Sequence, residues 1–178
     1  MTEKTTTEQP INQRIPLKEI GEGVRSQLIL TSTECDELAK TLDVLKLAGF
    51  RCETKLNPKA GKKFRLEGKI YANYQRQSAL SLEPVDLVIE EKFFAEFHPL
   101  HQKKCQQTDE LDLEFEEDMV EYYEGDSLNI GQVIYEQLVI SLEEFPKKAG
   151  ETFQWTDEAA GAKDNPFAKL SALKSDPE

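Results

Sequence analysis

Residues 50–74, FRCETKLNPKAGKKFRLEGKIYANY, decide the fold. In the first seven, Phe50, Cys52, Thr54 and Leu56 alternate with Arg51, Glu53 and Lys55. Successive strand side chains point to opposite faces, so this period of two predicts a half-buried strand. Asn57-Pro58-Lys59-Ala60-Gly61 is a turn signal. Phe64, Leu66, Ile70 and Ala72 then alternate through a second strand over 63–74, with Gly68 expected at a bulge. The short link favours antiparallel pairing.

Upstream of this hairpin, residues 33–48 predict a helix. Thr31 and Glu34 have capping-box spacing, and Cys35, Leu38, Leu42, Leu45 and Ala48 share one helical face. Cys35 reads as a small core residue, and Gly49 stands where a left-handed cap is expected. Residues 13–17 suggest a short strand. Downstream, residues 75–78 read as a turn. A long strand over 79–97 follows, interrupted near Pro84 and slipping in period at Phe93-Phe94. Residues 119–123 suggest one more strand.

A second helix is expected over 127–143, with Ile130, Val133, Ile134, Gln137, Leu138 and Ser141 on one side, stopped by Pro146. The order helix, strands, helix predicts an α+β fold: an antiparallel β meander packed with two main helices, with flexible N- and C-terminal tails. The expected boundaries are a disordered arm over 1–12, one domain over 13–146, and a mostly disordered tail over 147–178. That tail carries a short amphipathic segment at 166–174.

The 178 residues carry a net charge of −12, and 38% are hydrophobic, enough for one modest core. Such a chain is repelled by phosphate backbones and anionic membranes unless its cations are clustered. No run of ~18 apolar residues predicts a membrane span. The opening MTEKTTTEQP lacks the apolar run of a secretory signal. Cys35, Cys52 and Cys105 make no disulfide framework, and a cytoplasmic location is expected.

Catalytic motifs are not found. The sequence has no phosphate-binding glycine loop and no G-x-S-x-G elbow. His98, His101 and Cys105 are the one compact metal-like cluster, but their spacing matches no standard zinc pattern, and an exposed polar loop is the expectation. No catalytic residue, metal or cofactor is therefore expected. The cations do cluster: Arg51, Lys55, Lys59, Lys62, Lys63, Arg65, Lys69 and Arg76 fall in one window, with Tyr71 and Tyr74 interleaved. On a sheet they are candidates to hold phosphates and stack bases; the plainer alternative is an ordinary solvent face.

The opposite charge has its own segment. From Asp109 to Asp126 there are ten acids and no cation. Asp109, Glu110, Asp112, Glu114, Glu116, Glu117 and Asp118 are candidate contacts for a basic partner, or simply a solvated face. In the tail, Phe167, Leu170 and Leu173 form one apolar stripe, with Asn165 and Pro166 as helix-start residues. They are candidate anchors for a partner groove or for the chain's own domain.

Three stretches carry a resemblance. SLEPVDLVIEEKFFAEFHP (81–99), DSLNIGQVIYEQLVISLEEFPKKAG (126–150) and NPFAKLSALK (165–174) resemble, in order and spacing, motifs of the YceD family, the large ribosomal RNA subunit accumulation proteins. The variant resembles alphaproteobacterial members. The resemblance implies a bacterial cytoplasmic protein without enzymatic activity that supports accumulation of 23S rRNA and large-subunit biogenesis. The implied partners are 23S rRNA or a pre-50S particle, or a basic ribosomal protein if the chain is an acidic adaptor. Neither membrane nor small-molecule substrate is implied. An rRNA-processing enzyme is the remaining alternative. Many members carry a C-x-x-C pair at the central turn; here Tyr74-Gln75-Arg76-Gln77-Ser78 stands there and both cysteines are missing.

Overall fold

A computed structural model describes residues 10–100 and 119–152. In chain order the elements are β1 (Arg14–Pro16), α1 (Leu17–Ile20), β2 (Val24–Ile29), α2 (Ser32–Thr41), β3 (Lys46–Lys59), β4 (Lys63–Gln77), β5 (Pro84–Pro99), β6 (Met119–Tyr123), β7 (Ser127–Asn129) and α3 (Ile130–Ile140). Five strands form one sheet in the order β2-β3-β4-β5-β6, and β1 pairs with β7 in a separate ribbon. The class is α+β with a mostly antiparallel sheet. The chain divides into two units, Met1–Lys148 and Ala149–Glu178; the sheet and the helices belong to the first.

The 50–74 hairpin is the centre of the sheet, and its alternation holds: Phe50, Cys52, Thr54, Leu56, Leu66, Ile70 and Ala72 are all buried. The turn is tighter than expected. Pairing runs on to Lys59↔Lys63, leaving Ala60–Lys62 as the connection. Gly68 is not a bulge, because the register Thr54↔Gly68↔Phe93 is continuous. It is glycine because the Phe93 ring lies on it: a Cβ there would sit 2.2 Å from the ring's Cζ. The bulge falls instead between Ala48 and Arg51, where Gly49 takes φ +62°.

The first helix also ends earlier than expected. The Thr31–Glu34 capping box is present, but α2 stops at Thr41 instead of continuing to Ala48. Asp43 adopts φ +52°, Val44 N donates to Ala39 O at 3.0 Å, and Asp43 N donates to Lys40 O at 3.4 Å. This is a Schellman close with aspartate where glycine is usual. Leu45 is thereby left exposed, and Leu47 and Ala48 belong to β3.

β5 starts at Pro84 and pairs without a break from Pro84 to Phe97, so neither the interruption nor the slip occurs. Phe93 and Phe94 simply point to opposite faces, one buried and one exposed. The turn before it spans 78–83 instead of 75–78: buried Ser78 accepts from Leu80 N and Ser81 N through its Oγ. β6 exists as expected but runs parallel to β5. Residues 100–118 separate them, enough chain for the return that parallel strands require.

Residues 127–129 pair with β1, which delays the second helix to Ile130; it closes at Ser141, well before Pro146. Ile11 is 2% exposed, and Gln13 O accepts from Gly131 N at 2.9 Å, so the fold includes Ile11. At the other end Lys148 pairs with Glu83, two residues past the expected boundary.

The apolar faces meet in a single core. Leu47, Phe50, Cys52, Leu56, Leu66, Ile70, Ala72, Ile89, Phe93, Ala95 and Phe97 supply the sheet side. Ile11, Ile15, Ile20, Leu38, Ile130, Val133, Ile134 and Leu138 supply the other. Burial pushes the Cys52 thiol up to about 12, so it is an inert core group. Cys35 is buried as expected. Among the described residues, no helix is long and apolar enough to cross a membrane.

Candidate nucleic-acid interface

With the core on one face, the alternate residues of β2 to β5 project from the other, on which no described element packs. Strand register turns the linear sequence into rows across this face. One row is Ile29–Arg51–Tyr71–Glu90, the next Gln27–Glu53–Lys69–Lys92, and the third Arg25–Lys55–Glu67–Phe94. Further along come Asn57–Arg65–Glu96 and then Lys59 opposite Lys63.

Seven of the sequence candidates are brought together here: Arg51, Lys55, Lys59, Lys63, Arg65, Lys69 and Tyr71. Lys62 sits at the hairpin tip with φ +58°. Tyr74 and Arg76 do not belong. An even offset along β4 from Leu66 points a side chain to the core face, and both residues have it. Tyr74 is 4% exposed and its hydroxyl accepts from Glu143 N at 2.9 Å. Arg76 Nη1 donates to Glu143 O at 2.7 Å. Together they tie the chain after α3 to the sheet.

The face is a lattice of cations, rings and acids. The Arg51 guanidinium lies 4.4 Å from the Tyr71 ring centroid and Lys69 Nζ 4.5 Å from it. Arg65 lies 5.4 Å from the centroid of Phe94, an exposed ring. These are cation–π distances. Lys69 bonds Glu90 at 2.6 Å, which raises the lysine's pKa and lowers the glutamate's. Glu96 pairs with Lys59, His98 and Arg65, and the hydrogen bonds from Lys59 and then His98 hold its carboxyl below the usual range. Arg25, Lys46, Lys55, Lys63 and Lys92 have no ion-pair partner among the described residues.

The linear window therefore overstated the positive charge. Between Arg51 and Arg76 the only acids are Glu53 and Glu67, whereas β5 delivers Glu90 and Glu96 to the same face. The window also missed Phe94, Arg25 and Lys92. Those become visible only when the third strand's parity is carried across the register.

His98, expected in an exposed loop, is a β5 residue only 8% exposed; its Nε2 lies 3.1 Å from Glu96 Oε2 and its ring meets Tyr122 edge-on. His101 and Cys105 lie outside the described residues, as do Asp109, Glu110, Asp112, Glu114, Glu116, Glu117, Asp118, Phe167, Leu170 and Leu173. The end of the acidic run is described. Glu121 is half-buried on β6, and burial followed by the nearby Glu136 raises its pKa. No group of three His, Cys, Asp or Glu side chains suited to a metal occurs among the described residues.

The chain is thus an α+β protein with one covered sheet face and one open face that bears cations and aromatic rings. Residues 66–174, more than half the chain, match the family described as "Large ribosomal RNA subunit accumulation protein YceD". The chain belongs to the YceD family, and the family's description gives it a role in accumulation of large-subunit ribosomal RNA. No curated protein and no solved structure matches it.

Proposed function

We propose that this protein is a non-enzymatic, cytoplasmic accessory factor for 23S rRNA accumulation, and that its open sheet face contacts rRNA or a pre-50S component. The observation that carries this reading is the lattice of Arg51, Lys55, Lys63, Arg65, Tyr71 and Phe94 on one uncovered surface. Cations on such a face displace counterions from phosphates, and rings offer stacking area to bases. The equipment suits holding an anionic polymer.

Replacing Lys55 and Lys63 together by glutamate tests it. Affinity for 23S fragments is expected to fall about 10- to 100-fold, with the slope of log K against log salt shallower by ~0.7 per lost phosphate contact. Unchanged affinity and slope would sink the proposal. In cells, loss of the protein is expected to lower 23S relative to 16S rRNA; an unchanged ratio would count equally against it. Purified protein that cleaves an rRNA precursor would restore the enzyme reading.

A second reading is contact with a basic ribosomal protein. It is favoured by the end of the fold around Arg76, where exposed Leu45, Leu82, Ile140 and Phe145 have Asp43 and Glu144 beside them. An apolar centre with an acidic rim complements a basic protein. Salt-sensitive capture of such a protein that survives RNase supports it; loss of capture on RNase treatment returns the weight to RNA.

A further inference from the structure

The open face is not uniform. At one end, beyond Tyr71, two rows cross it: Ala48–Asn73–Val88 and Lys46–Gln75–Asp86. Around them lies a shallow cavity of about 270 Å³. Its origin is the β3 bulge. Gly49 takes φ +62° and carries no side chain, and its neighbour Ala48 is small, so β3 leaves a depression beside β4.

The lining has a chemical pattern. Val88, 73% exposed, is an apolar wall with nothing described on it. Asn73, on the open face, presents an amide donor and an amide acceptor and has no hydrogen-bond partner among the described residues. Gln75 Nε2 is held by Asp86 Oδ1 at 2.6 Å, which orients the amide and leaves its carbonyl oxygen to accept. Lys46 stands at the rim as an exposed cation. One step along β4 lies Tyr71, under the planar guanidinium of Arg51.

We propose that this depression is a subsite for one unpaired nucleobase, and that the open face therefore selects single-stranded over duplex RNA. The proposal rests on the reading of this face as the RNA-binding surface. The base lies against Val88 and Ala48, its hydrogen-bonding edge meets Asn73 and Gln75, and Lys46 takes the adjoining phosphate. The next base stacks on the Arg51–Tyr71 layer. A base inside an A-form helix has neither a free face nor, in the deep narrow groove, a reachable edge.

The test uses the full chain, a labelled pool of random single strands of about 12 nucleotides, and hairpin duplexes of matching composition. The single strands are expected to bind at least ~10-fold tighter than the duplexes. Replacing Asn73 and Gln75 together by alanine is expected to weaken single-strand binding ~5- to 50-fold, leaving the salt slope and duplex binding unchanged. Both side chains project from the open face, so the unfolding midpoint should hold. Equal affinity for duplex, or an unaffected double variant, overturns the subsite while leaving the RNA face standing. Failure of both RNAs to bind overturns the RNA face and the subsite with it.

Discussion

Replacing Gly131 by alanine is expected to destabilise the domain by about 2 kcal/mol, although alanine is the better helix former. A Cβ at this position would lie 2.3 Å from Ile11 O and 2.6 Å from Gln13 N. Both are backbone atoms, so no side chain can swing aside. Relief requires the N-terminal segment to withdraw. That stretches the Gly131 N to Gln13 O hydrogen bond and begins to expose Ile11. A net hydrogen bond contributes about 1 kcal/mol and full burial of an isoleucine about 2 to 3 kcal/mol. Against this, alanine returns at most ~1 kcal/mol of helix propensity, and less in the first turn. The loss wins.

Urea unfolding should show a lower midpoint with an unchanged slope, and the variant's cost should overlap with that of Ile11→Ala instead of adding to it. An unchanged midpoint would show that the segment docks otherwise than described.

What the sequence disclosed, and what it hid, follows one physical line. Alternation is a local signal, so Phe50 to Ala72 could be read as strands, and Thr31 with Glu34 as a helix start. The ends of elements depend on partners far away in sequence. Residues 127–129 are a strand because β1 pairs with them, and α2 ends at Thr41 because Asp43 accepts a left-handed conformation that is ordinarily glycine's. The parallel β6 depends on a long return that no periodicity encodes.

The candidate face behaved in the same way. The cations of β3 and β4 were legible as a cluster. Their parity also was, and it separates Tyr71 from Tyr74, three residues apart and hence on opposite faces. The opposing acids and the Phe94 ring come from β5, and only the register places them. The base-sized depression was not legible at all, because it depends on a bulge the sequence suggested at Gly68 and the fold puts at Gly49.

Gly68 carries the second large expectation. Gly68→Ala should cost about 2 to 3 kcal/mol, because the new methyl would meet Phe93 at 2.2 to 3.0 Å across a continuous cross-strand pair. Phe93 is 5% exposed, so its ring leaves only by opening the core or moving β5. Alanine's smaller backbone entropy loss returns roughly 0.5 to 1 kcal/mol, too little to compensate. The decisive measurement is the double-mutant cycle. Phe93→Ala alone should cost about 3 to 5 kcal/mol for the lost ring. In that background the added methyl at position 68 has space, so Gly68→Ala should become neutral or slightly stabilising. A coupling of about 2 kcal/mol or more follows, with the double variant more stable than the sum of the single losses. Strict additivity would mean that the ring does not rest on the glycine.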